Sequence, residues 1–351
     1  MTTKEQNFPW LELIDYPAFC VKDGFIIAAN YPAEKRNLCA GTNIQEIIGE
    51  HRQAYESFEN GSLYLTIPVC GLPCPASVTR TQDYDIFHLN REANDGVLQA
   101  LALAATELRI PLANILTITD HLLPKLESEE YRQQANQINH NLYRLLRVIG
   151  NMSDAGSDLQ SSMENVDLRK VIDEIMEKAQ TIFADTQVQL VYTGIQEPAF
   201  TFANTEKLER AIYNLLSNAA KFSPVGSTIT ANLTKNEKQL LFTVCNTTVD
   251  ELRGNVWQRY RRETSLEEPC YGLGLGMTLI SNAASIHGGT VLVDHPQPGT
   301  TRVTMTIPIT TSTTNNLRSP VLHISDYAGC RDKGLLEFTE LLPSDAYQPN
   351  K

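Results

Sequence analysis

The sequence lacks long apolar runs. No stretch approaches the roughly eighteen consecutive apolar residues that a membrane-spanning helix needs. Basic residues are also scarce, with 29 Lys and Arg against 41 Asp and Glu and a formal net charge of -12. Because nucleic-acid binding depends mainly on Lys and Arg that neutralise phosphates, this balance argues against a nucleic acid partner. The amino terminus lacks the charged-then-apolar pattern of a secretion signal. We therefore expect a cytoplasmic protein with no membrane span.

Cysteines are few and scattered, and their number, seven, is odd. Such a set does not supply a complete disulfide framework. Cys70 and Cys74, separated by Gly71-Leu72-Pro73, are the closest pair. They are more typical of a loop or strand edge than of a metal site.

The first segment, residues 1–92, reads as strands and turns with short helices. Two apolar runs flank Asp23-Gly24, which is a strong hairpin signal. Residues 62–69 and 77–81 alternate as half-buried strands do. We predict a small antiparallel sheet domain here.

The second segment, residues 93–160, carries apolar residues at helical spacing in two stretches, with Pro124 and Ser128 between them. Two long amphipathic helices joined by a short turn make a helical hairpin. A lone hairpin leaves one apolar stripe uncovered, so pairing with a second copy as a four-helix bundle is the natural solution. Packing of the stripe on another domain of the same chain is the alternative.

The third segment, residues 161–310, alternates helix and strand, and its hairpin-paired strands with helices on one face predict an α/β sandwich. Residues 311–351 form a polar linker and a tail. The tail motifs, 326–329 and 335–338, are consistent with a short docking element of unassigned chemistry.

Two motifs in the third segment predict a site for a polyphosphate and its metal ion. Asn214, Asn218 and Lys221 lie at i, i+4 and i+7 and so share one helix face. Amide oxygens suit Mg²⁺, and an ammonium suits phosphate oxygens. Further on, Gly272, Gly274 and Gly276 let backbone N–H groups approach an anion at the start of a second helix.

These motifs resemble those of sensor histidine kinases of two-component signalling, whose ATPase fold is shared with Hsp90, gyrase and MutL. The resemblance runs from about Asn94 to Pro308 and includes residues 256–260, which resemble the family's intervening aromatic segment. It implies an α+β multidomain protein with a PAS-like antiparallel sheet domain, a helical-hairpin dimerisation domain and an Hsp90-like ATPase sandwich. The PAS likeness is carried by Asp23-Gly24 and Asn30.

The resemblance also implies the roles of the site residues. Asn218 corresponds to the asparagine that holds Mg²⁺, while Asn214 and Lys221 assist with the metal and the phosphates. The cofactors implied are ATP and Mg²⁺. The nucleotide-binding residues implied are Asn214, Asn218, Lys221, Asn246, Gly272, Leu273, Gly274, Leu275 and Gly276.

The phosphoacceptor motif departs from the family. Thr106 stands where relatives carry the acceptor histidine, and Glu107 keeps the acid that assists the transfer. A threonine hydroxyl is a poor nucleophile unless a base takes its proton. Ile110 replaces a polar residue that positions water for dephosphorylation in many relatives. Thr106 is therefore a doubtful acceptor, and His121 and His140 are weak substitutes.

The adenine-binding motif departs as well. Asn246 stands where relatives place an aspartate that reads the adenine amino group, and Thr248 replaces a glycine that makes room for the base. Losing one such bond costs on the order of 1–3 kcal/mol. Weak ATP binding and no ATP binding both remain open.

Three functions fit these features. The first is a signalling pseudokinase or scaffold that dimerises through the hairpin and docks a response regulator or another kinase. The second is an active kinase that phosphorylates another acceptor, or a partner in a phosphorelay. The third is an amino-terminal ligand sensor with a structural remainder.

Overall fold

The computed structural model describes residues 8–89, 95–155, 163–248, 275–309 and 332–347. Its α-helices are α1 Tyr31–Glu34, α2 Ile44–Ile48, α3 Arg52–Ser57, α4 Asp95–Leu122, α5 Glu129–Ala155, α6 Leu168–Phe183, α7 Thr205–Lys221, α8 Gly276–Ile286 and α9 Lys333–Glu337. Its strands are β1 Ala18–Lys22, β2 Phe25–Ala29, β3 Ser62–Val69, β4 Leu72–Arg80, β5 Asp85–Leu89, β6 Glu164–Asp167, β7 Gln189–Thr193, β8 Phe200–Ala203, β9 Thr228–Lys235, β10 Gln239–Thr247, β11 Val291–Asp294 and β12 Thr300–Pro308.

The amino-terminal sheet forms as the alternating pattern predicts. Asp23 and Gly24 turn β1 into β2 with positive φ angles of 52° and 81°, which suit an Asp-Gly hairpin. Asn30 is fully buried, and its Oδ1 accepts hydrogen bonds from the N–H groups of Ala18 and Ala33. Asn30 thus caps α1 and ties it to β1.

Helices α4 and α5 pack against each other as the predicted hairpin. Pro111 lies inside α4, which runs on to Leu122. No described helix combines the length with the apolar composition that a bilayer-spanning helix needs.

The third segment has the mixed sheet and helix layer of an α+β ATPase domain. Strands β11, β12, β10 and β9 are antiparallel in that order, and β7 adds to β9 in parallel. Helices α6, α7 and α8 pack on these strands, while β6 and β8 form a separate two-stranded sheet.

The first and third segments share one sheet, which the sequence did not lead us to expect. Strand β3 pairs antiparallel with β11, so ten strands run in the order β2-β1-β5-β4-β3-β11-β12-β10-β9-β7. At this junction Thr66 Oγ1 lies 2.9 Å from Ser285 Oγ of α8. Gly61 makes the close approach possible, because a Cβ there would lie 2.1 Å from the carbonyl oxygen of Val293.

The hydrophobic cores divide the chain differently from the sheet. One core belongs to the amino-terminal segment. A second core is continuous from the hairpin through the ATPase segment to the tail, and it includes Leu146, Ile212, Phe338 and Tyr347. The hairpin and the tail are therefore packed on the ATPase segment in this structure.

Candidate functional site

The candidate site is centred on α7. Asn204 begins this helix, since its Oδ1 accepts a hydrogen bond from Lys207 N at 2.8 Å. His287 supports this start: its Nε2 accepts from Asn204 N at 2.9 Å, and its Nδ1 lies 2.6 Å from the carbonyl oxygen of Ala283. Burial lowers the pKa of His287. A neutral imidazole that accepts at Nε2 and donates from Nδ1 fits both contacts.

The structure brings the two asparagines of α7 to the start of α8. A Cβ built on Gly276 would lie 3.2 Å from Asn214 Oδ1 and 3.4 Å from Asn218 Nδ2. Leu275, which precedes Gly276, is buried. A Cβ at position 276 would require the Asn214 side chain to shift by a few tenths of an ångström, so glycine suits this approach.

Lys221 and Asn246 lie near the carboxyl end of α7. Asn246 is buried at the end of β10, and its Nδ2 donates to Ser223 Oγ at 3.3 Å. A cavity of about 530 Å³ adjoins this end of α7, with Lys221, Ser223 and Glu340 among its lining residues. Gly272, Leu273 and Gly274 lie outside the described residues, as do the aromatic segment 256–260 and most of the predicted glycine motif.

The polar face of α7 is covered rather than open. Asn214 is only 1% exposed, and its Nδ2 donates to the carbonyl oxygen of Arg210 at 2.9 Å and lies 3.5 Å from Glu337 Oε2. The tail packs on α7 through α9, and α5 reaches α7 through Arg147, which donates to Ser217 Oγ at 3.0 Å. Sequence reasoning placed the stripe correctly on one helix face but did not foresee its covering.

Six charged side chains meet on this covered face, and we call them the α7 charge cluster. They are the cations Arg147, Arg210 and Lys221 and the carboxylates Asp154, Glu337 and Glu340. Burial raises the pKa of Asp154, although Arg210 acts in the opposite sense. Sequence reasoning missed all members except Lys221, because charges scattered over 190 residues carry no local signal of their pairing.

The residues present suit a magnesium ion and phosphates. The amide groups of Asn214 and Asn218 supply hard oxygen atoms, and Gly276 keeps the space beside them free of a side chain. Lys221 supplies a cation near the same face. No group of three or more His, Cys, Asp or Glu suited to a metal occurs in the part of the chain that the structure describes.

The hairpin positions Thr106 on an open surface. Thr106 is exposed, and its Oγ1 donates to the carbonyl oxygen of Ala102 at 3.0 Å. Glu107 and His121 are exposed on the same helix. His140 differs from them: its Nε2 lies 2.6 Å from the carbonyl oxygen of Thr339, and its ring stacks on Tyr347.

A comparison with protein families matches the part of the chain that holds α7 and α8. Residues 203–311 match the family model described as histidine kinase-, DNA gyrase B-, and HSP90-like ATPase. The segment is therefore an ATPase domain of that type, and α7, α8 and Asn246 all fall within the match.

The relatives are histidine kinases. The chain is 26% identical over 240 residues to hybrid signal transduction histidine kinase D of Dictyostelium discoideum, covering 64% of this chain and 16% of that protein. It is 26% identical over 267 residues to the histidine-protein kinase/phosphatase MprB of Mycolicibacterium vanbaalenii, covering 72% of this chain and 54% of that protein. The chain thus spans about half of one relative and a smaller part of the other.

The crystal structure of full-length ShkA in complex with AMPPNP has a similar fold, with a TM-score of 0.50, 18% identity, and coverage of 61% of this chain and 46% of that one. The chain is thus similar to histidine kinases, and its residues 203–311 match the model of their ATPase domain.

Proposed function

We propose that this chain is a signalling protein of sensor histidine kinase architecture that binds Mg²⁺ and ATP but does not phosphorylate itself on the usual acceptor position. The observation that carries the nucleotide proposal is the meeting of Asn214 and Asn218 with Gly276 at the start of α8. Asn218 and Asn214 would hold the metal ion, and Lys221 would contact phosphate oxygens. When bound, Mg²⁺ would neutralise phosphate charge, and ATP would supply the γ-phosphoryl group.

The acceptor position argues against self-phosphorylation. Thr106 offers a hydroxyl that already donates to a carbonyl oxygen of its own helix, and a threonine hydroxyl is a weak nucleophile unless a base takes its proton. His140 is an unsuitable substitute because its ring is engaged by the tail. Glu107 then has no imidazole beside it to assist.

We infer that the hairpin pairs two copies of the chain. Helix α4 exposes a continuous apolar stripe beside its buried face, and α5 exposes a second stripe at seven-residue spacing. The exposed residues are Leu103, Leu108, Ile110, Ile115, Ile118 and Leu122 on α4 and Tyr131, Ile138 and Leu145 on α5. Such stripes mark protein interfaces, and a four-helix bundle would bury both.

Residues 1–92 are proposed as a PAS-like sensor domain, on the strength of five antiparallel strands and three short helices around a core of their own. Residues 93–160 are the proposed dimerisation domain, and residues 161–310 are the proposed ATPase domain. A response regulator or another kinase is the proposed partner.

The nucleotide proposal is tested by titrating Mg·ATP into the purified chain and into Asn218→Ala. Binding should be lost in this variant and kept in Asn141→Ala, a matched change at an exposed asparagine of α5. Equal binding by Asn218→Ala and the wild type would place the nucleotide elsewhere.

The pseudokinase proposal is tested with γ-³²P-labelled ATP and Mg²⁺. We expect no acid-labile label on the chain, since such a label reports a phosphorus–nitrogen bond. Label that is lost in Asn218→Ala would instead support the second function, an active kinase with another acceptor such as the exposed His121.

The dimer proposal is tested by sedimentation. Ile115→Glu combined with Ile118→Glu should convert a dimer to a monomer. Val225→Glu is the control, because Val225 is 76% exposed but lies outside the hairpin. A monomeric wild type at micromolar concentration would overturn the inference.

A further inference from the structure

We propose that the tail, residues 332–347, is a docking element that competes with nucleotide for the polar face of α7. The surface that it fits is the groove between α5 and α7, and its occupant is this segment of the chain itself. The inference rests on the proposed nucleotide site. It adds that a segment of the same chain binds to that site in place of nucleotide.

The tail is anchored by aromatic and aliphatic side chains rather than by loose contact. Phe338 is fully buried, with its ring centroid 5.0 Å from that of Phe183 and 5.4 Å from that of Tyr213 of α7. Tyr347 is 2% exposed, lies 4.7 Å from the Tyr143 ring, and donates from its hydroxyl to the carbonyl oxygen of Leu335. Edge-to-face aromatic pairs of this kind stabilise a packed interface beyond the area they bury.

Polar side chains of α5 fix the register of the tail. Asn136 Nδ2 donates to Asp345 Oδ1 at 3.3 Å, and Asn139 Nδ2 donates to the carbonyl oxygen of Tyr347 at 3.2 Å. His140 Nε2 lies 2.6 Å from the carbonyl oxygen of Thr339. A tail that slid by one residue would lose all of these contacts, so the carboxylates that it carries are held at fixed positions.

The first of those carboxylates reaches the magnesium-binding face. Glu337 is 1% exposed, and its Oε2 lies 3.2 Å from Arg147 Nε and 3.5 Å from Asn214 Nδ2. Its Oε1 lies 3.5 Å from Arg210 Nη2. A buried carboxylate persists only with such partners.

The second carboxylate reaches the phosphate-binding cation. Glu340 Oε2 lies 3.4 Å from Lys221 Nζ, and its Oε1 lies 3.3 Å from Arg147 Nη1. In the proposed function Lys221 contacts phosphate oxygens. A triphosphate beside Glu337 and Glu340 would meet two like charges in a poorly solvated place, which is strongly unfavourable. Nucleotide and tail therefore exclude each other on this face.

The test measures Mg·ATP affinity in the full chain with the tail weakened in two ways. Tyr347→Ala removes an anchor on α5 without touching α7, and Glu340→Gln removes one carboxylate with little change of shape. Each should increase the affinity at least tenfold. Tyr31→Ala and Glu237→Gln are matched controls at exposed positions and should leave the affinity unchanged.

A second readout follows the tail directly. Hydrogen exchange of the amides of residues 335–342 should accelerate in the wild type when Mg·ATP is added, and addition of Mg²⁺ alone should have no effect. Unchanged affinity in both tail variants, or tail amides that stay protected at saturating Mg·ATP, would overturn the inference while leaving the nucleotide site intact. Absence of Mg·ATP binding in the wild type and in both tail variants would instead overturn the proposed function, and the competition with it.

Discussion

Arg210 joins the three elements of the covered face, so its replacement by methionine is the most informative single change. The guanidinium pairs with Asp154 of α5 and donates from Nη2 to Asn151 Oδ1 at 2.9 Å. The same nitrogen lies 3.5 Å from Glu337 Oε1 of the tail. Methionine keeps much of the apolar stem but removes every one of these contacts.

The magnitude follows from burial. The Arg210 side chain is 4% exposed and that of Glu337 is 1% exposed, and removing one partner of a buried ion pair costs roughly 3–5 kcal/mol. Two features place the cost at the lower end. Arg147 still holds Glu337 at 3.2 Å, and the Asp154 side chain keeps 32% exposure to water. We expect a loss of about 3 kcal/mol at pH 7.

The same change should be sensitive to pH. Arg210 lowers the pKa of Asp154, against the effect of burial, so its removal should raise that pKa further. A carboxyl whose folded-state pKa lies above its unfolded value contributes stability that is present at low pH and lost as the pH rises through the folded pKa. The difference in unfolding free energy between the variant and the wild type should therefore shrink between pH 7 and pH 5.

Urea unfolding followed by circular dichroism at both pH values measures this difference. Hydrogen exchange in α5 and α9 then shows where the structure loosens. Arg52→Met is the control, because its ion pair with Glu56 is about half exposed and should contribute less than about 1 kcal/mol. A loss below 1 kcal/mol for Arg210→Met, or one that is independent of pH, would refute the view of a buried charge cluster.

Three further predictions concern other parts of the chain. Gly276→Ala should weaken Mg·ATP binding about tenfold, or ~1.4 kcal/mol, because the added Cβ would crowd Asn214 Oδ1. Titration calorimetry measures the affinity, and an unchanged value would contradict the placement of the site. Burial lowers the folded-state pKa of His287, so the unfolded chain binds more protons, and the free energy of unfolding should fall as the pH drops through 6.5. His287→Gln should remove this part of the pH dependence. Unfolding curves of the variant and the wild type with the same pH dependence would contradict the prediction. Gly61→Ala should destabilise the β3–β11 junction by about 2 kcal/mol, because a Cβ there would meet the carbonyl oxygen of Val293 and because Gly61 has a φ of +89°. Hydrogen exchange of the β11 amides reports the change, and unaltered protection of those amides would contradict the prediction.

Local signals in the sequence predicted the elements of the site well. The spacing of Asn214, Asn218 and Lys221 placed them on one face of a helix, which is α7, and the period of apolar residues predicted the two hairpin helices. The likeness of motifs then pointed to Asn214, Asn218 and Gly276, which lie together. These features are local, or depend on a motif whose two halves are weak evidence alone and informative together.

The pairing of β3 with β11 had no such signal in the sequence. Strand β3 reads as an ordinary half-buried strand, and nothing in its pattern states which edge it will meet. The one sequence feature that reflects the contact is Gly61, because its close approach to Val293 excludes a side chain. A lone glycine beside a strand is equally typical of a turn or a β-bulge, so the junction could not be inferred from it.

The tail and α5 cover α7 because the buried cations on this face require anionic partners, and local sequence patterns do not show that requirement. Arg147, Arg210 and Lys221 are largely buried, and in this structure Asp154, Glu337 and Glu340 balance them. A departing tail would remove Glu337 and Glu340 and so lower the negative charge beside these buried cations, which is unfavourable. A nucleotide triphosphate carries that charge. We therefore expect the phosphates of a bound nucleotide to take the place of the tail carboxylates on this face of α7.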